Sequence, residues 1–236
     1  MDEPDIEQLF APIEPSAAFG VVLSEAREVL GQIHQPVDAE LWGSDMLGAL
    51  TRSAAEADIM SGLVTTLVPA AEEDKSRESL ALLRIFGALG SPDLREAATH
   101  SAERLKASGI ADPSWATKIG APKTGECWHY ADVSGQQESV TMTFSYGEKS
   151  HALSVLIDHT RGGRLKDVWV SEAAGLLDKT WIATENDPTV VFEKLEPAEA
   201  AERIRLAEKA GEAPDKPDQA DDITAHRALL RSRVGL

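Results

Sequence analysis

The chain has 236 residues, 42% of them apolar and 27% charged, enough to bury a sizeable core and too apolar for a disordered chain. A lone cysteine, Cys127, excludes an intrachain disulfide and a multi-thiolate metal site, and fits a reducing compartment. The net charge of −17 disfavours general nucleic-acid binding and anionic membrane surfaces, and it concentrates at the head, where residues 1–45 carry ten carboxylates against Arg27 alone.

Residues 1–15 begin with acids and contain Pro4, Pro12 and Pro15, which predicts an acidic, flexible arm. The head is acidic where a targeting peptide would be basic, and no apolar run approaches the roughly 18 residues that span a bilayer, so the expected location is cytoplasmic. From Ser16 a helix is predicted, with Phe19, Val22, Ala26, Leu30 and Ile33 at 3–4 residue spacing and Pro36 closing it. Asp38 is placed to cap a second helix carrying Leu41, Trp42, Met46, Leu47 and Leu50. Apolar periodicity continues over residues 54–68, where Pro69 interrupts it. Asp74 or Ser76 caps the next helix, whose Leu80, Leu82, Leu83, Ile85, Phe86 and Leu89 cover over half its circumference and mark it as the most buried. Ser91-Pro92 opens another, stopped near Gly109. The helical region therefore spans residues 16–110.

Residues 110–121, with Pro113 and Gly120, read as a linker, after which the hydrophobic period changes from 3.6 to 2. Val140, Met142, Phe144 and Tyr146 alternate with Thr141, Thr143 and Ser145, the pattern of a strand with one buried face. Flanking strands are expected over residues 127–133, 151–158 and 165–171, joined by turns at Ser134-Gly135, Gly147 and Gly162-Gly163. Connections this short require antiparallel pairing. Residues 172–195 are ambiguous: 172–179 reads as a helical turn, with a short strand at 181–184 or at 189–192. Pro197 opens a helix to about Ala210, which completes a sheet-plus-helix region over residues 122–210. Residues 211–236 form a linker and a short C-terminal helix that matches the helix dipole, with Asp221 and Asp222 at its start and Arg227, Arg231 and Arg233 towards its end. The expected class is α+β: a helical N-terminal half, a four-stranded antiparallel meander and C-terminal helices.

Phosphate-loop, dinucleotide-fold, zinc-protease, nucleophile-elbow, CxxC and EF-hand motifs are absent from the sequence. Chemistry is most suggestive at the last hairpin, where Arg161, Gly162, Gly163, Arg164 and Lys166 combine a permissive turn with three cations able to hold a phosphate or carboxylate. Asp158 and Asp167 flank it as acid/base or ligand candidates. No metal or cofactor is expected, since neighbouring strand residues such as Asp158 and His159 face opposite ways. Cys127 and His129 share a strand face about 7 Å apart, too far for direct thiolate–imidazole contact, and Cys127 reads as a small core residue. Five tryptophans, Trp42, Trp115, Trp128, Trp169 and Trp181, read as core or interface anchors. Two functions follow: a non-enzymatic interaction or regulatory protein whose acidic surface meets a basic protein partner, or an anionic-ligand protein or enzyme with its site at the 158–167 hairpin.

Overall fold

The computed structural model describes residues 15–53, 55–211 and 221–236. Apart from Pro15, the expected acidic arm lies outside these residues, as does the linker at 212–220. No described helix is long and apolar enough to cross a membrane.

The chain is α+β, with helices α1 (Pro15–Val29), α2 (Pro36–Ser53), α3 (Glu56–Gly62), α4 (Val68–Asp74), α5 (Arg77–Leu89) and α6 (Pro92–Ala107) preceding the sheet. A 3₁₀ turn, Leu30–Gln32, ends α1 before Pro36, which opens α2 rather than closing its predecessor. Ser76 caps α5 by accepting from the Ser79 N–H. Asp74 accepts from the Ser76 and Ser79 hydroxyls, and those bonds, with Arg27 beside it, hold its carboxyl at about 2. Pro69 does not break the chain's helical path, because a π turn, Leu63–Leu67, shifts the register just before it.

The sheet contains β1 (Lys123–Asp132), β2 (Gln137–Tyr146), β3 (Lys149–Asp158), β4 (Arg164–Glu172) and β5 (Val190–Leu195), antiparallel throughout in the order β4-β3-β2-β1-β5. The four-stranded expectation is corrected: β5 returns to pair with β1, from Cys127↔Leu195 to Asp132↔Val190. The segment between β4 and β5 carries α7 (Leu176–Thr184), so residues 181–184 are helical and the strand falls at the later of the two expected positions.

Two buried clusters organise the molecule. The first joins α1–α6, with Leu80, Leu82, Leu83, Ile85 and Phe86 of α5 fully buried. It takes in Trp115, whose indole N–H donates to the Ile33 carbonyl (3.2 Å), so residues 110–121 dock on the helices. The second packs one face of the sheet, including Cys127, Val140, Met142, Leu153, Val155 and Val168, against α8 (Pro197–Gly211) and α9 (Asp221–Val234). Helix α9 serves both, giving Leu229 to the first and Ile223, Leu230 and Val234 to the second. It approaches α2 so closely that a Cβ on Gly48 would stand 2.4 Å from the Thr224 carbonyl oxygen. Ser44 fixes the pair by donating to the Ala225 carbonyl (2.7 Å) and accepting from the Leu229 N–H (3.1 Å).

The seam is also closed by charge. Glu40 of α2 is fully buried and accepts from Arg233 of α9 at 3.1 and 2.5 Å, from the Tyr146 hydroxyl of β2 at 2.6 Å, and from the Gly120 N–H at 2.9 Å. Arg233 lies over the Phe144 ring (5.2 Å) and 3.3 Å from His151 Nε2. Burial, reinforced by Arg233, pushes His151 down to about 4. Three segments far apart in sequence thus converge on the one carboxylate of α2.

Candidate functional site

At the β3–β4 hairpin, Asp158 accepts from the Thr160 N–H (3.0 Å) and hydroxyl (2.6 Å), and those bonds, with Lys166 and Arg161 nearby, lower its carboxyl below the usual range. Gly162 and Gly163 have φ of 84° and 73°, the left-handed region that the turn requires. Arg161 and Lys166 are exposed, while Arg164 is half-buried and stands across from Asp158. Asp167 accepts from its neighbour's N–H, Val168 (2.8 Å). The ladder slips by one residue between Leu156↔Asp167 and Ile157↔Leu165, and this bulge brings Asp158, Arg164 and Asp167 to the same sheet face. None of the four clefts described for the molecule is lined by hairpin residues 158–167.

The register puts Cys127 and His129 on the inner face opposite Met142 and Val140. Burial pushes the Cys127 thiol up to about 11, so it stays protonated and packs as an apolar group. Arg203 of α8 donates to Glu138 (2.9 Å) and Glu199 (2.7 Å) and lies 3.3 Å from His129 Nδ1, which leaves His129 Nε2 to meet Glu193 at 3.2 Å. His159 reaches the other Glu138 oxygen at 3.1 Å. These groups satisfy one another within the fold.

The outer face differs in kind. Across it, Lys194, Trp128, Thr141, Ser154 and Trp169 stand side by side on β5, β1, β2, β3 and β4. Thr141 and Ser154 share a buried hydroxyl hydrogen bond of 2.8 Å. Trp128 Nε1, Ser139 Oγ and Ser171 Oγ are buried without a partner, and all three belong to this face. Between the face and the segment leading into α7 lies a cleft of about 340 Å³ lined by Gly125, Trp128, Thr143, Ser145, Leu177 and Asp178.

Beside it runs β5, which with β4 is one of the two edge strands. Helices α8 and α9 both pack near β4, whereas among the described residues β5 pairs with β1 on one side and with no strand on the other. The Val133 N–H donates to the Thr189 carbonyl, so ladder alternation turns the main-chain groups of Val191, Glu193 and Leu195 towards β1 and those of Phe192 and Lys194 outward. Next to this edge Trp181 packs edge-on against Phe192 with ring centroids 5.2 Å apart. Trp181 is 48% exposed and Ile182, its neighbour on α7, 68%, apolar surface on an otherwise strongly charged chain, while Val191, 41% exposed, faces the opposite side of the sheet with Ala131. Segment 173–196 carries five carboxylates and two lysines, and Lys194 is already paired with Glu126 (2.9 Å).

The five tryptophans do not share a pocket. Trp42 donates to Glu25 (3.1 Å) and Trp115 is buried among the helices, while Trp128 and Trp169 lie on the same outer-face row with Thr141 and Ser154 between them and Trp181 stands by the edge. One of the two expected strand positions, residues 189–192, falls in β5, but its place at the rim is set by pairing with β1, distant in sequence. No protein-family model, curated protein or solved structure matches the chain.

Proposed function

We propose that this chain is a non-enzymatic protein-interaction module that receives an extended segment of a basic, partly apolar partner along β5. The observation that carries this reading is the β5 edge, unpaired among the described residues: outward-facing main-chain donors and acceptors at Phe192 and Lys194, bordered by exposed Trp181 and Ile182 on one side and by Val191 on the other. An unpaired edge is a template for strand addition, in which main-chain bonds supply affinity and alternate side chains supply specificity. The excess of carboxylates around the edge favours a cationic strand and repels a second copy of this acidic chain. The buried ionisable groups support the same reading, since Glu40, Arg233 and His151 are consumed in holding the two cores together.

The test uses an eight-residue peptide alternating Lys and Val, a control alternating Glu and Val, and the Lys194→Pro variant. Proline at 194 removes an outward N–H but leaves the bonds of β5 to β1 intact, because these come from residues 191, 193 and 195. The expected result is binding of the Lys–Val peptide, at least about tenfold weaker binding of the Glu–Val peptide, and a comparable loss in Lys194→Pro at an almost unchanged melting temperature. Equal binding of the Lys–Val peptide by Lys194→Pro and the native chain overturns the proposal.

A further inference from the structure

We infer a second site, independent of the β5 edge: a small amphipathic carboxylate binds in the cleft between α2, α9 and the α5–α6 turn, with Arg227 as its anchor. The cleft measures about 290 Å³, at the lower end of ligand-cleft sizes and suited to roughly ten non-hydrogen atoms. Its apolar lining comes from Leu47, Met60, Leu89 and Pro92, and its charged side from Arg227 and Arg231, one turn apart on α9, together with Glu56, whose carboxylate is neutralised by Arg231.

The two arginines are not equivalent. Arg231 donates to Glu208 (3.0 Å) and to Glu56 (2.7 Å), so its charge is met twice. Arg227 forms an ion pair with the same Glu208 oxygen, Nε to Oε1 3.1 Å, but without the alignment of a hydrogen bond, so its buried Nε has no hydrogen-bond partner. Glu208 is itself buried at 2% exposure, so one carboxylate is shared between two guanidiniums. Arg227 therefore lines the cleft with a guanidinium whose one ion pair among the described residues is to a carboxylate it shares with Arg231. Ser91 adds a hydroxyl on the opposite wall, since it makes no capping bond to α6. A ligand carboxylate on the Arg227 fork, with its aliphatic tail along Leu47, Met60 and Leu89, satisfies both sides of the cleft.

Titrating the full chain with sodium octanoate, 1-octanol and octylamine, followed by amide chemical shifts and by melting temperature, tests this. Arg227→Gln removes the anchor, and Met60→Trp fills the apolar end. The expected result is saturable octanoate binding with shifts at Gly48, Ser91 and Ala228, a loss of at least about tenfold in Arg227→Gln, no binding in Met60→Trp, and none of octylamine. Absence of a saturable shift in the millimolar range overturns the inference, as does unchanged octanoate affinity in Arg227→Gln or equal affinity for octanol and octanoate. The amide shifts in the native chain decide the location even if either variant fails to fold.

Discussion

Replacing Arg233 by Met tests how the two cores are joined. Glu40 would keep its bonds from Tyr146 and Gly120 but lose both guanidinium contacts, leaving an ionised carboxylate with no counter-charge in a site that water does not reach. Removing one partner of a buried pair costs about 3–5 kcal/mol, because the survivor's desolvation is no longer compensated. For a chain of this size that is a fall in melting temperature of roughly 6–20 °C. The pair itself need not stabilise the fold by that much, so the informative assay is a double-mutant cycle by urea unfolding with Glu40→Gln, Arg233→Met and their combination. The double variant is expected to lose less than the sum of the singles, by at least about 1 kcal/mol. Strict additivity, or a loss under about 1 kcal/mol for Arg233→Met, would refute the reasoning.

Three further outcomes follow from neighbouring contacts. His151 titrates near 4 in the fold against an ordinary 6.5, so the unfolded chain binds the proton first, and its contribution, up to about 3 kcal/mol, is complete above pH 6.5 and lost as pH falls towards 4. In His151→Phe the melting temperature should fall less between those limits, and parallel curves would count against the assignment. Gly48→Ala forces a methyl group against the Thr224 carbonyl and should cost about 1–3 kcal/mol by urea unfolding, where an ordinary helical Gly→Ala change gains stability. Ser139→Ala removes an unpaired buried hydroxyl and should be neutral or stabilising, while Ser44→Ala strips partners from the Ala225 carbonyl and Leu229 N–H and should cost about 1–3 kcal/mol; the same loss for both would contradict the hydrogen-bond assignment.

Legibility in the sequence tracked the range of the forces. Alternation of Val140, Met142, Phe144 and Tyr146 marked β2, and the broad apolar stripe of α5 marked the centre of the helical core, because both patterns are written in consecutive residues. The β4 bulge was also present, as Leu165, Val168 and Val170 break strict alternation, but an expected strand over 165–171 smooths over it. Strand β5 has only six residues, and nothing local says that it pairs with β1 across the whole stretch between Asp132 and Val190. The Glu40–Arg233 pair joins residues 193 apart and reads from sequence as two ordinary surface charges. Charge density drew attention to the 158–167 hairpin, where clustered cations are conspicuous, and away from Arg227, whose significance depends on a carboxylate shared in space.

The strand-docking account is tested most directly by amide hydrogen exchange along β5, residue by residue, without and with the Lys–Val peptide. In the free protein the Phe192 and Lys194 amides should exchange at least about a hundredfold faster than those of Val191, Glu193 and Leu195, and saturating peptide should erase that alternation. Uniform protection along β5 before peptide is added, or an alternation that the peptide leaves unchanged, would contradict it.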